Sequence, residues 1–484
     1  MFQINRRWDE KSEQIGTKRT PFLWQFCPDF IASPESLKLL RKELRDKVKF
    51  RNKSNDLYNL DQTTDLQTVQ KIKKLPVLGQ FLKFMQTSVR EWVIKQTGFD
   101  LTDQLSITGS RYSKGDYLLP HDDRNSNRKV AFVLYLNDMT AEDGGSLRLF
   151  GTDGNNFPDG VIEEKSPHFN DLCFFEVSEK SWHEVKEVLG KAKRWSVNGW
   201  FHVKEQIDLK RVAVKTLPIS LNEETFDFED YLSPDCLNDK LMAGRRREFE
   251  KNSYIAINNF LKPDVLEKVK QGLKQSEYSV EGPWHKYKQF VRSGDIKNGN
   301  SITAHLTNFF QSKQLMTYFS VITGLHFVDI PGIVTSLETA EDDHDLPGPS
   351  KKARMENQDC GKKKSSTTFK AFKMSQGCYK LADDQVLDTT IDQGYSLDVK
   401  FFITDDQWKD KDGGYTSYIA AFEKSEILRL KPVDNVAYIT FKEPKCLDIT
   451  RYIGSAAGEK EYSCFNVCYH GIDPPVGDDS EDEE

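Results

Sequence analysis

His121 and Asp123 stand two residues apart in the segment YSKGDYLLPHDDRNSNRKVAFVLYL. On extended backbone, residues two apart project to the same side. An imidazole and a carboxylate at the mouth of a strand are thus placed to share one metal ion, while Asp122 between them points the other way. A third ligand has to come from another strand. Of the nine histidines, His183 has the best setting: it follows the apolar LCFFEV and the turn SEKS, and it begins HEVKEV. His168, in a polar loop before that strand, and His202, beyond the next arginine, are its rivals. Two histidines and one carboxylate on one face of a metal leave the opposite face open. That arrangement suits Fe(II) that must take a bidentate cosubstrate and dioxygen. The far carboxylate of such a cosubstrate calls for a planar fork of donors. Arg194 offers one on the next strand, 11 residues after His183 (194 − 183), and Ser196, two further on, adds a hydroxyl to the same face.

The elements that must position these groups read as strands. VAFVLYL, GSLRLF, LCFFEV, HEVKEVL and RWSVNGWFHV are short, β-branched or aromatic, and separated by Gly, Asn, Asp and Pro. This pattern predicts antiparallel sheets rolled into a sandwich or barrel, with flanking helices. Strands do not alternate with helices, and neither a P-loop nor a dinucleotide glycine fingerprint is present, which disfavours a nucleotide-binding α/β sheet. The two halves of the chain echo each other. PFLWQFCPDFIASPESLKLLRKEL is answered by SYIAINNFLKPDVLEKVKQGL. VAFVLYLND followed by EDGGSLRLF is answered by VKFFITDDQ followed by KDGGYTSYI. Val130 pairs with Val399 and Gly144 with Gly413 at one offset of 269 (399 − 130; 413 − 144), as expected of a duplicated domain.

Composition bounds the rest. The chain has 484 residues with 37% hydrophobic and 30% charged, suited to two β-rich domains with some disordered stretches. No apolar run approaches the roughly 20 residues of a membrane span, and MFQINRRWDEK lacks a signal-peptide core. Eight cysteines without regular spacing suggest a reduced, intracellular protein. Cys464 and Cys468 form a near pair, but nothing beside them completes a zinc site. A net charge of −7 disfavours coating nucleic acid, and no direct nucleic-acid motif is present. Three segments punctuate the chain: a charged linker at 206–230, an insertion at about 336–367 poor in core-forming residues, and the acidic tail 474–484. Within the insertion, the basic clusters Lys351–Arg354 and Lys362–Lys364 read as a solvated loop or as a nuclear import signal.

The order H-x-D, distal His, then R-x-S resembles the prolyl-hydroxylase branch of the 2-oxoglutarate oxygenases. LLPHDD, VAFVLYL, EDGG, FFEVS before His183 and RWSVNGWFH narrow the resemblance to the ribosomal prolyl 3-hydroxylase family, over nearly the whole chain. It implies a mainly β, α+β architecture of two double-stranded β-helix (jelly-roll, cupin-like) domains in tandem: a catalytic domain over 1–205 and a degenerate one over 231–473. It maps the family's iron ligands onto His121, Asp123 and His183, its carboxylate-binding arginine onto Arg194, and its cosubstrate-contacting tyrosines onto Tyr112 and Tyr135. It further implies Fe(II) and 2-oxoglutarate as cofactors with ascorbate as reductant. A proline of small-subunit ribosomal protein uS12 would be the substrate, with effects on translation accuracy and termination, termination factors as partners, and residence in cytoplasm and nucleus. Other readings are an oxygenase acting on another protein or on nucleic acid, and a non-catalytic scaffold in translation or mRNA turnover. The intact triad with Arg194 argues against the scaffold.

In the second copy the same offset carries His121 to Thr390 and Asp123 to Asp392. Aligning WHEV with CLDI and GWFH with VCYH puts Leu447 where His183 stands and Tyr462 where Arg194 stands. Three of the four groups are lost, so the second domain is expected to bind neither iron nor cosubstrate.

Overall fold

The computed structural model describes residues 1–9, 18–69, 74–206, 217–292, 301–328, 364–383, 394–420 and 425–472. The chain divides into two compact units. The first is Met1–Ala213 with Gly282–Lys288 and Gly454–Gly458, and the second is Val214–Glu281, Gln289–Ile453 and Glu459–Glu484. Thr390, Asp392, Lys351–Arg354 and the tail 474–484 lie outside the described residues, as do most of the insertion and part of the linker. The described end of the linker is not bare coil: it holds a two-residue strand, Ile219–Ser220, and the helical turn Phe228–Tyr231. The last residues assigned to the insertion, Ser366 and Thr367, already belong to a strand.

Eleven strands make the sheet of the first unit: β1 Trp24–Cys27, β2 Arg51–Ser54, β3 Tyr58–Gln62, β4 Leu105–Tyr112, β5 Tyr117–His121, β6 Arg128–Tyr135, β7 Leu147–Thr152, β8 Pro158–Lys165, β9 Leu172–Glu176, β10 His183–Val185 and β11 Arg194–His202. Their order is β1-β9-β6-β11-β4-β3-β5-β10-β7-β8, with β2 paired to β3, and every pairing is antiparallel. β6 shows why its run Val130–Tyr135 is apolar without interruption. Val130, Phe132 and Leu134 enter the core that the helices share, while Ala131, Val133 and Tyr135 enter a second core inside the curled sheet. A strand covered on both faces has no polar phase.

Helix Pro34–Lys47 covers the outer face. Pro34 opens it, Glu35 sits in the first turn and Arg45 and Lys47 in the last, each favourable to the helix dipole. Leu37, Leu40 and Leu44 recur at helical spacing and are fully buried against Phe132 and Leu134's core. Burying three leucines is worth roughly 5–9 kcal/mol at 1.5–3 kcal/mol each, which anchors the sheet whose other face carries the site.

The second unit repeats this plan with a twelve-stranded sheet: β12 Ile219–Ser220, β13 Tyr254–Asn258, β14 Tyr278–Glu281, β15 Tyr287–Arg292, β16 Ser366–Met374, β17 Tyr379–Lys380, β18 Tyr395–Ile403, β19 Thr416–Ile419, β20 Leu428–Leu430, β21 Val436–Lys442, β22 Leu447–Thr450 and β23 Tyr462–Ile472. The order is β13-β21-β18-β23-β16-β15-β17-β22-β19-β20, with β14 on β15 and β12 on β16. Each strand of the first unit's path thus has a counterpart in the same place, and β12 is the addition. Leu397, Val399, Phe401 and Ile403 of β18 pack into the core of this unit as Val130, Phe132 and Leu134 of β6 do in the first.

Candidate active site

β5 ends on His121 and β10 begins on His183, and the two residues are direct cross-strand partners. The chain then turns after β5. Asp123 takes a left-handed conformation with φ of 61°, which swings its carboxylate back between the two rings. His121 Nε2 lies 3.5 Å from Asp123 Oδ1 and His183 Nε2 lies 3.3 Å from Asp123 Oδ2. The ligand atoms of the three residues all fall within 4.8 Å of one another, the only such grouping of histidine, cysteine and carboxylate among the described residues. The opposite nitrogens are engaged with backbone carbonyls: His121 Nδ1 with Leu119 at 2.9 Å and His183 Nδ1 with Ser181 at 2.8 Å. Donation from Nδ1 leaves the Nε2 lone pair of each ring free to bind a metal, which is how metal-ligating histidines are oriented.

The electrostatics suit a divalent cation. Burial opposes ionisation of Asp123, but the charge of His183 and hydrogen bonds from both histidines outweigh it and hold the carboxyl well below its usual range. Burial likewise opposes a charge on His121, yet Asp123, the Leu119 carbonyl and Asp122 together raise its pKa. The carboxylate held ionised between two imidazoles is the charge that a divalent cation would neutralise.

On β11 the inward phase is Arg194, Ser196, Asn198 and Trp200, all lining one cavity of about 390 Å³ with the triad. Arg194 is 2% exposed. Its Nε donates to the Gly145 carbonyl at 3.0 Å and its Nη1 to Ser196 Oγ at 3.1 Å, so its partners among the described residues are neutral. The rings of Tyr112 and Tyr135 flank the guanidinium, with centroids at 5.0 and 5.1 Å. The Tyr135 hydroxyl is fully buried and lacks a hydrogen-bond partner. Burial pushes the Tyr112 hydroxyl up to about 12 against the opposing charge of Arg194, and it raises the Tyr135 hydroxyl further. A buried cation without an anion and a buried hydroxyl without a partner each cost free energy. A carboxylate of 2-oxoglutarate placed against Arg194 and Tyr135 satisfies both.

The rival histidines are elsewhere. His168 is exposed and lies 3.8 Å from Asp138. His202 is buried and bonded to Ser106 and Asn127 at 2.9 Å each. Asp122 lines the same cavity but is not in the ligand grouping, and its carboxylate accepts from Arg124 Nε at 2.9 Å. Cys464 and Cys468 are both free thiols on β23. Several cavity residues were not foreseen. Leu57, Tyr58 and Gln62 enter from the β2–β3 hairpin, whose polar sequence KFRNKSNDLYNLDQ gives no sign of a binding wall. Arg128 covers Trp200, with its guanidinium carbon 3.6 Å from the ring centroid. Trp200 could have been found by extending the alternation from Arg194.

The second unit corrects one alignment. Opposite His183 on β7 stands Leu149, and 269 residues on, opposite Tyr418, stands Asp448. Asp448, not Leu447, therefore occupies the place of His183; one residue of slip exchanges faces. It cannot take a metal ion, because three ammonium groups fill the space. Lys380 and Lys442 bond its carboxylate, the latter at 2.8 Å, and Lys400 lies 3.6 Å away. Burial opposes ionisation of Asp448, but the three lysines hold its pKa well below the usual range. Tyr462 does stand in for Arg194: its hydroxyl donates to the Gly414 carbonyl at 2.8 Å, as Arg194 donates to Gly145, 269 residues earlier.

Comparison with known proteins agrees with this geometry. A profile of the 2OG-Fe(II) oxygenase superfamily matches residues 107–202, and one described as oxoglutarate and iron-dependent oxygenase degradation C-term matches residues 223–470. Prolyl 3-hydroxylase OGFOD1 of Mus musculus is 27% identical over 95% of this chain and 90% of its own length. The protein of the same name from Xenopus laevis is 28% identical over 92% of this chain and 86% of its own. Prolyl 3-hydroxylase sudestada1 of Drosophila melanogaster is 32% identical over 54% of this chain and 52% of its own. Among solved structures, a prolyl-4-hydroxylase of Pseudomonas putida is 23% identical, covers 37% of this chain and 91% of its own, and superposes with a TM-score of 0.31.

Proposed function

We propose, on the premise that the chain belongs to the prolyl 3-hydroxylase family of 2-oxoglutarate- and iron-dependent oxygenases, that its substrate is a prolyl residue of small-subunit ribosomal protein uS12. The protein is a 2-oxoglutarate-dependent dioxygenase with iron and 2-oxoglutarate as cofactors. The observation that carries the residue assignment is the convergence of His121, Asp123 and His183 within 4.8 Å in the cavity that also holds Arg194. In this reading the triad holds iron. Arg194, Ser196, Tyr135 and Tyr112 hold 2-oxoglutarate, and the wall formed by Trp200, Arg128 and the β2–β3 hairpin receives the proline.

Iron and 2-oxoglutarate, when bound, supply the oxidation: dioxygen is consumed as 2-oxoglutarate is decarboxylated to succinate, and one oxygen atom reaches the prolyl carbon. The chain's own residues supply geometry. The backbone carbonyls of Leu119 and Ser181 fix the histidine tautomers. Arg194 orients the cosubstrate through a planar fork. The apolar lining of Ala131, Val133, Leu147 and Phe175 keeps water from the reacting carbon.

The two units are read as tandem double-stranded β-helix domains. The matching strand order and the single offset of 269 support that reading. The second is a partner domain without iron, because lysines surround Asp448. Mass spectrometry of uS12 incubated with the purified protein, Fe(II) and 2-oxoglutarate tests the assignment. Addition of one oxygen to a proline, matched by succinate, is expected. Succinate formation unaffected by uS12, with its prolines unmodified, would overturn it.

A further inference from the structure

Asp123 holds its carboxylate from a left-handed backbone. At φ of 61° a side chain is disfavoured, and such a conformation persists where its surroundings hold it. Here they do so from both sides. The Asp122 carbonyl, on the peptide leading into Asp123, accepts from Ser181 Oγ at 3.0 Å. The Asp122 carboxylate accepts from the backbone N–H of Arg124 at 3.2 Å and from Arg124 Nε at 2.9 Å, closing a turn around Asp123. Asp122 is 2% exposed and Ser181 wholly buried.

Ser181 is the node. Its hydroxyl also accepts from the N–H of Ser178 at 3.0 Å, and its single proton faces two carbonyls, Asp122 at 3.0 Å and Ser178 at 2.9 Å, so it bridges the loop and the turn SEKS as a shared donor. Its carbonyl accepts from His183 Nδ1 at 2.8 Å. One small side chain thus ties the loop carrying Asp123 to the turn that sets the tautomer of His183. Alanine at 181 keeps the carbonyl but releases the Asp122 peptide. The loop 122–124 is then free to turn, and the Asp123 carboxylate is no longer held between the two imidazoles.

We propose that Ser181 and Asp122 are positioning residues that clamp Asp123 in its left-handed conformation, so that the iron site is formed before the metal arrives. This rests on the reading of His121, Asp123 and His183 as iron ligands. It makes the loop 122–124 and the turn 178–181 one unit, although they lie on different strand connections.

The test uses full-length protein stripped of metal and titrated calorimetrically with Mn²⁺, together with the rate at which the Fe(II) form loses metal to a chelator. Ser181→Ala is expected to raise the Mn²⁺ Kd by roughly 10-fold or more, the usual effect of removing an outer partner of a ligand. It should hasten metal loss beyond what the lowered unfolding midpoint of the metal-free protein accounts for, since the Ser178 N–H also loses its acceptor, and leave the 2-oxoglutarate KM at saturating metal near wild type. Asp122→Asn keeps the volume and one acceptor but sets an amide against Arg124; it is expected to shift the Mn²⁺ Kd in the same direction, and it decides the matter if Ser181→Ala does not fold. A Kd within about twofold of wild type in the folded variants, or a Kd that rises only in step with a falling midpoint, overturns the clamp. His183→Ala separates the two claims. Loss of Mn²⁺ binding there, with Ser181→Ala and Asp122→Asn unaffected, sinks the clamp alone, whereas Mn²⁺ binding retained in His183→Ala sinks the ligand assignment beneath it.

Discussion

Replacing Arg194 with lysine keeps the charge and removes the fork. In the wild-type protein Nε is spent on the Gly145 carbonyl and Nη1 on Ser196, so the other N–H groups face the cavity with no acid among the described residues to claim them. A lysine ammonium is a point donor that cannot bond Gly145 and grip both oxygens of a carboxylate. The variant therefore forfeits about one charge-assisted hydrogen bond to 2-oxoglutarate, worth roughly 1.5–3 kcal/mol. At 1.4 kcal/mol per factor of ten, that is roughly a 10- to 150-fold rise in the 2-oxoglutarate KM. Metal binding should be untouched, since Arg194 contacts none of the three ligands. The assay is steady-state succinate formation across 2-oxoglutarate concentrations, run beside Mn²⁺ titration. An unchanged KM would show that another residue holds the carboxylate. A loss of Mn²⁺ affinity would show that Arg194 supports the triad instead.

Tyr135→Phe removes a buried hydroxyl without a partner; the cofactor-free protein is expected to gain up to about 1 kcal/mol, while 2-oxoglutarate binding weakens, and a destabilised cofactor-free variant would contradict the assignment. Asp448→Ala takes an acceptor from the buried Lys400, which keeps Asp398, and from the partly exposed Lys380 and Lys442; a loss of about 3 kcal/mol in the second unit is expected from denaturant unfolding, the low end for a broken buried pair, with iron still at one per chain. Two irons per wild-type chain would mean ligands outside the described residues. His202, buried and beside Arg128, has its pKa lowered, burial being the larger cause. The unfolded chain takes a proton at about pH 6.5 while folded His202 stays neutral, so its contribution is lost as pH falls below that value. His202→Gln should therefore lose less stability than wild type between roughly pH 7.5 and 5.5, and equal losses in urea melts would refute the link.

Much of the site was legible because its cues are local. The H-x-D spacing marks His121 and Asp123 as a pair, although a left-handed turn after β5, and not strand alternation, brings them together; alternation does carry Arg194 forward to Ser196 and on to Trp200. The uninterrupted apolar run of β6 announces a strand covered on both faces, and the offset of 269 announces a second copy. Periodicity states which face a residue occupies, however, and not which residue lies across from it. That His121 meets His183, that Asp448 and not Leu447 takes the place of His183, and that lysines from β17, β18 and β21 converge on Asp448 follow from registers among strands far apart in the chain. The left-handed turn at Asp123 and the Ser181 hydroxyl that secures it are likewise tertiary facts. The sequence marks Asp123 as a ligand, but only the fold brings the turn holding Ser181 beside it to supply the partner of the Asp122 carbonyl.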